Sequence, residues 1–220
     1  APEPINDWIF QKDGATINTE DNLKAAEHLE GWIKSGYFPA DANAIEYFQM
    51  MSRFMGGEGL FMFNGDWESG NFDTNAAGKF GFFIMPPLEE GGRHASMSAP
   101  LTFGIGANAN NPDCAAFFLD WVATNEEARK INVAVGGSNP GGPADLPIPA
   151  VEPGSVTEAS LAAGATLAQD NGAMDFIANA TGAIFAAGWT PELQKMVGGQ
   201  QNAQGLLDAV QREYETQLSR

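Results

Sequence analysis

Apolar residues fall at helical spacing along much of this chain. Leu23, Ala26, Leu29, Trp32 and Ile33 follow i, i+3 and i+4 steps, which predicts a helix opened by Asn18 or Thr19 and stopped at Ser35-Gly36. A shorter helix is predicted from about Ala44 to Phe54, ending at Gly56-Gly57. Pro112 suits a first helical turn ahead of Ala115, Ala116, Leu119, Trp121 and Val122. Asn125-Glu126-Glu127 restarts a helix that runs to Gly136-Gly137. Thr157 to Ala168 is Ala-rich and helical, and Pro191 opens a short helix through Val197. Asn202 caps a last one with Leu206, Leu207, Val210, Tyr214 and Leu218 on one side.

Strand signals are fewer. Gly59 to Phe63, Phe80 to Ile84 and Leu101 to Ile105 are short apolar runs rich in aromatics and bounded by Gly, Pro or Asn. Helices feeding strands predict an α/β architecture with a small sheet. Two segments read as linkers, Pro86-Pro87 through Gly91-Gly92 and the Pro-rich stretch Gly137 to Pro153, which is long enough to be functional or a domain crossing.

Composition narrows the function. With 220 residues the chain can bury a sizeable core. Its net charge of −17 would repel a phosphate backbone, which argues against nucleic acid as a partner. The same charge argues against an anionic membrane face. No apolar run approaches the ~18 residues of a spanning helix. The single cysteine, Cys114, excludes an internal disulfide, and with only His28 and His94 beside it there is little for a metal site. No cofactor is expected. Gly104-x-Gly106-x-x-Ala109 has the outline of a dinucleotide fingerprint, but the next helix begins too far on to meet a pyrophosphate. It reads as a strand-exit loop. Asn179-Ala180-Thr181 fits a glycosylation sequon, a pattern common by chance.

The chemistry-bearing segment is Asn64-Gly65-Asp66-Trp67-Glu68, which ends the run Gly59 to Phe63. An indole flanked by amide and carboxylate groups suits a sugar, whose apolar face stacks on the ring while its hydroxyls bond the polar groups. The plainer reading makes Trp67 a core residue. Asp66 and Glu68 as a glycosidase pair would point the same way from an extended segment, whereas active carboxylates oppose each other across the substrate. Asn6-Asp7-Trp8 reads either as a polar turn with one buried indole or as cleft residues. Trp189, just before Pro191, either walls a pocket or staples the helix that follows. Trp32 and Trp121 read as core, and both histidines as solvent-facing.

Taken in order, these segments resemble the C-terminal portion of bacterial extracellular solute-binding proteins of family 1, the sugar-capturing subunits of ABC importers. The resemblance is carried by Gly36-Tyr-Phe38, by Phe54-x-x-Gly-Glu-Gly-Leu-Phe-Met-Phe-x-Gly-Asp-Trp67 and by Phe80-Gly-Phe-Phe-x-Met-Pro-Pro87. It continues through Gly104-Ile-Gly106, Pro112-Asp-x-Ala-Ala-x-Phe-Leu-Asp-Trp121, Asn125-Glu-Glu and the turn from Gly136 to Pro140. It closes with Trp189-x-Pro191, Gly198-Gly199 and Val210-Gln-x-Glu-x-Tyr214.

The resemblance implies an α/β, helix-rich fold of the type II periplasmic-binding-protein kind, mostly the C-terminal lobe with a segment of the N-terminal lobe. On that reading, residues 1–94 and 151–220 form the C-terminal lobe, and residues 95–150 belong to the other lobe and the hinge crossings. Trp67 matches the family's sugar-stacking tryptophan, and Asp66 is the hydroxyl acceptor beside it. Asn6 and Asp7 fall where the family places a cleft residue. Trp189 falls near its other C-lobe aromatic, with Phe185 as the competing match. Ser98 and Ala99 stand where many relatives carry a glycine pair. The implied function is non-catalytic capture of a sugar or oligosaccharide by a monomer, which delivers it to the permease subunits of an ABC importer. The implied location is periplasmic or extracellular, with a lipoprotein anchor in a Gram-positive source. The alternatives are a glycan-acting hydrolase and a non-catalytic interaction module.

Overall fold

The computed structural model describes residues 2–98, 103–137 and 146–219. The chain divides into two compact units, one of Ala1–Ser52, Ala95–Ala99 and Gly172–Arg220, the other of Arg53–His94 and Pro100–Asn171.

The first unit is built on helices α1 (Pro2–Ile9), α2 (Glu20–Lys34), α8 (Thr190–Val197) and α9 (Ala203–Leu218). Leu206, Leu207, Val210 and Tyr214 form the buried stripe of α9 and meet Trp8, Ile9, Ile17, Ala26, Ile184 and Met196 in one core. Trp8 lies at its centre, fully buried. Its indole N–H donates to Gln211 Oε1 at 3.2 Å, the Tyr214 hydroxyl donates to the Trp8 carbonyl at 2.8 Å, and the two rings pack 4.6 Å apart. The predicted caps form. Thr19 accepts from the Asn22 N–H, and Asn202 from the Gly205 N–H. Glu30, on α2, adds a carboxylate to the N-terminus of α9 by accepting from the Ala203 N–H at 2.9 Å. That bond and the Lys34 ammonium hold the Glu30 carboxyl below its ordinary pKa, with the Lys34 contact the larger cause.

The β-structure among the described residues is one parallel pair, β1 (Ser96–Met97) and β2 (Ala173–Met174), in register Ser96 to Ala173 and Met97 to Met174. Both strands belong to the first unit.

The second unit holds α4 (Ser69–Asn75), α5 (Pro112–Thr124), α6 (Glu126–Gly136) and α7 (Val156–Gln169), and α3 (Tyr47–Met55) runs into it from the first. Asn111 and Asn125 cap α5 and α6 through their side-chain oxygens. Ser155 caps α7 by accepting from the Glu158 N–H, and α4 adds a second cap. Both Asp73 carboxylate oxygens, on α4, accept from the Val156 and Thr157 N–H groups at 2.7 and 3.0 Å. Phe72 joins Phe54 and Phe80 in an aromatic cluster with centroids 5.0–6.1 Å apart.

Four expectations change. The runs Gly59 to Phe63 and Phe80 to Ile84 carry no regular secondary structure and pair with no strand among the described residues, and a strand exists only where a neighbour takes its backbone hydrogen bonds. Of the third run, Leu101 and Thr102 lie outside the described residues, as do Ala99 and most of the turn from Gly136 to Pro140; Phe103 to Ile105 is irregular. Trp121, expected in the core, is exposed. His94, expected to face solvent, is paired. Its N–H and its Nδ1 both meet Asp170 Oδ2, at 2.9 and 2.8 Å.

Those two contacts, the backbone one first, hold the Asp170 carboxyl below its ordinary pKa. A depressed carboxylate contributes stability that is present above its unfolded pKa of about 4 and is lost as pH falls through the folded value. Thermal melts of the wild-type chain should therefore fall more steeply below pH 4 than those of Asp170→Asn. Parallel curves would remove the pair from the acid response.

Candidate functional site

Trp67 and Asp66 lie in the second unit, on the turn between the run Gly59 to Phe63 and α4. The turn, Asp66–Glu68, is a single 3₁₀ turn. Asn64 Oδ1 accepts from the Gly65 N–H at 2.8 Å, and Glu68 accepts from Asn71 Nδ2 at 2.8 Å, so the segment is braced at both ends. Gly65 is required by a close approach rather than by its backbone angle. A Cβ there would lie 2.1–2.3 Å from Cζ3, Cε3 and Cη2 of Trp67, so the indole rests directly on the glycine. The ring lies against that backbone and remains 52% exposed. Asp66 beside it is half-buried. The indole lies between two carboxylates in sequence, Asp66 and Glu68.

Asn6, Asp7 and Trp189 lie in the first unit. Asn6 is engaged by the fold. Its Nδ2 donates to the Ala173 carbonyl at 3.3 Å and its Oδ1 accepts from the Asp175 N–H at 2.8 Å, fastening α1 to β2. Asp7 is half-buried and ion-paired with Lys12 at 2.5 Å. Trp189 ends a π-helical turn, Phe185–Trp189, and meets Trp8 edge to face at 6.3 Å. It packs against the core, and its indole N–H is buried with no hydrogen-bond partner among the described residues. Phe185, at the other end of the turn, is exposed. The structure thus brings Trp67 to Asp66, and Asn6 and Asp7 to one helix. On the π-helical turn it leaves Phe185, the competing match, more accessible than Trp189.

Other aromatics escape a reading based on tryptophan. Tyr47 and Phe48 are exposed on α3 with rings 5.5 Å apart, and the only sequence signal for them is two adjacent aromatics at a helix start. Among the described residues no cluster of His, Cys, Asp and Glu could hold a metal ion. None of their helices is long and apolar enough to cross a membrane.

The chain is helix-rich with one parallel strand pair among the described residues, and it shares its fold with solved structures. One of them is described as a chitin oligosaccharide binding protein; it matches with a TM-score of 0.72 and 14% identity over 100% of this chain. The chain spans about half of that protein, 54% of its solved length. No family model matches, and no curated protein matches.

Proposed function

We propose that this chain is the solute-capturing component of an ABC importer, of the type II periplasmic-binding-protein kind, and that it takes an oligosaccharide without transforming it. The observation that carries the reading is Trp67, an exposed indole seated on Gly65. The fold shared with a protein named for binding chitin oligosaccharides supports it. In this mechanism the sugar's apolar face lies on the indole, and Asp66 accepts from its hydroxyls. Closure around the guest removes water, and the ligand stabilises the closed state by its differential affinity. Within the first unit, Asp7 and the aromatic of the π-helical turn, Trp189 or Phe185, are that unit's own candidates for sugar contact, and Asn6 fastens α1 through its amide. The permease that receives the sugar lies in the membrane, and the carrier works outside it, in the periplasm or at the cell surface.

Calorimetry with a panel of chitin and maltose-type oligosaccharides tests this. Trp67→Ala should weaken binding by about 1–3 kcal/mol, roughly 5- to 150-fold in Kd, from lost stacking area. Gly65→Ala should weaken it comparably, since the added methyl lifts the ring from its seat. Binding unchanged in both variants would take Trp67 out of the site. Absence of heat with every sugar would count against the reading, and release of reducing sugar would transfer it to a hydrolase.

A further inference from the structure

The segment that carries Trp67 also carries a reactive dipeptide. The sequence holds two Asn-Gly pairs, Asn64-Gly65 and Asn171-Gly172. An asparagine ahead of glycine is open to attack by the next main-chain nitrogen, because glycine has no Cβ to shield that nitrogen or restrict the backbone. The two pairs stand in opposite surroundings. Asn64 and Gly65 are half-buried, at the end of a run with no regular structure, and the Gly65 carbonyl accepts locally, from the Glu68 N–H at 3.3 Å. The Asn64 carboxamide lies against the Gly65 nitrogen, with Oδ1 2.8 Å away. The carbon to be attacked is thereby held beside its nucleophile, the proximity that favours an intramolecular step. Gly172, in contrast, is buried, and its carbonyl accepts from the Ser96 N–H at 3.1 Å where β1 meets β2. Asn171 is fixed in a left-handed conformation, φ +48°, with its N–H on the Ala168 carbonyl.

We infer that Asn64-Gly65 is a self-modifying site, where the chain converts Asn64 to isoaspartate and aspartate without an enzyme, and that the fold protects Asn171-Gly172 from the same reaction. The Gly65 nitrogen gives its proton to water and bonds to Asn64 Cγ. The bond from Cγ to Nδ2 breaks, and that nitrogen takes up a proton and leaves as ammonia. A five-membered succinimide remains, with the Gly65 nitrogen bonded to both Cγ and the Asn64 main-chain carbonyl carbon. Water then opens it. Cleavage at Cγ gives aspartate, and cleavage at the main-chain carbon gives isoaspartate. One water is consumed, one ammonia is released, and nothing is oxidised or reduced. Isoaspartate lengthens the main chain by one atom directly before the glycine on which the Trp67 indole rests. A Cβ on Gly65 would come within 2.1–2.3 Å of that ring, so the seat has no room for a displaced backbone. The isoaspartyl form therefore unseats Trp67, whereas the aspartyl form keeps the original main chain and leaves the ring in place. The conversion needs no sugar and stands apart from the capture reading.

Peptide mapping by mass spectrometry on the 220-residue chain, aged in warm neutral buffer, tests it, with electron-transfer fragmentation to separate isoaspartate from aspartate. In the folded chain Asn64 should convert at least ~10-fold faster than Asn171, and in concentrated urea the two rates should come together, because the dipeptide is the same and only the fold divides them. Asn64→Gln should suppress conversion at that position at least ~10-fold, since the longer side chain must close a six-membered ring. Oxidative footprinting of the separated products should label Trp67 severalfold more heavily in the isoaspartyl form than in the aspartyl form. Equal rates at the two asparagines of the folded chain, or a faster Asn171, would overturn the inference. So would an Asn64 that stays intact under conditions where Asn171 converts in urea. Equal labelling of Trp67 in the two products would overturn the effect on the indole.

Discussion

Replacing Trp8 by alanine should lower the stability of the first unit by about 3–5 kcal/mol, the cost of emptying a large aromatic site that cannot collapse. Against a typical total of about 5–15 kcal/mol, that is enough to leave a marginal fold partly open at physiological temperature. The argument rests on what surrounds the ring. Trp8 is fully buried, packs on Tyr214 at 4.6 Å and on Trp189 at 6.3 Å, and donates to Gln211. Gln211 Oε1 also accepts from the Ile17 N–H at 3.0 Å, so one side chain ties α1, the α1–α2 connection and α9 together. Urea melts followed by circular dichroism give the value. Tyr214→Phe is the calibrating variant, for it keeps the ring and removes only the hydroxyl that donates to the Trp8 carbonyl. It should cost about 0.5–1.5 kcal/mol, the net loss of one hydrogen bond, because the Trp8 carbonyl still accepts from the Gln11 N–H at 3.1 Å. A Trp8→Ala loss no larger than that of Tyr214→Phe would show that the indole is not the keystone. The same variant bears on function, because Trp189 leans edge-on against Trp8 and should gain exposure when that ring is gone.

The helices with caps and a clear apolar stripe were legible in the sequence. Thr19, Asn125 and Asn202 announce α2, α6 and α9 because each supplies an oxygen to an otherwise unpaired N–H. Two helices were hidden. Helix α1 opens Pro-Glu-Pro, which resembles a turn, yet proline in a first turn forfeits no hydrogen bond. Helix α4, Ser-Gly-Asn-Phe-Asp-Thr-Asn, has low intrinsic propensity throughout, and tertiary contacts hold it. Phe72 enters the aromatic cluster, and Asp73 caps α7, more than eighty positions away in the chain. The runs Gly59 to Phe63 and Phe80 to Ile84 carry the composition of strands but pair with no strand among the described residues. Composition reports how a segment suits a sheet, not whether a neighbour is present.

The site was legible in part. The sequence flags Trp67 because polar groups surround it, and the structure adds that Gly65 serves as its seat. Asn6 falls where the resemblance places a cleft residue, and its amide is used internally, by Ala173 and Asp175. A side chain able to bond a hydroxyl is equally able to bond a backbone, and only the fold decides between them.

The second large effect is expected where α4 begins, immediately after Trp67. Gly137 ends α6 in a left-handed conformation, φ +69°, with its N–H on the Val133 carbonyl. A Cβ on Gly137 would lie 2.4 Å from the Gly70 nitrogen and 2.8 Å from Ser69 Cβ. A Cβ on Gly70 would lie 2.8 Å from the Val135 carbonyl oxygen. The obstacles include rigid backbone, so no rotamer relieves them and the helices must part. Gly137→Ala should therefore lose about 2–5 kcal/mol, combining about 1–2 kcal/mol for the left-handed backbone with about 1–3 kcal/mol for overpacking. Gly70→Ala carries only the second cost. The double variant should lose less than the sum, because one separation of α4 from α6 relieves both clashes. Gly137→Asn separates the two causes, since asparagine tolerates the conformation but still brings a Cβ. If Gly137→Asn is as stable as wild type, the contact is not tight and conformation alone explains the glycine. If it falls nearly as far as Gly137→Ala, the contact governs. In that case α4 is displaced at its first turn, the Trp67 turn moves with it, and oligosaccharide affinity should fall in the soluble, folded Gly70→Ala variant although no residue of the proposed site has been altered.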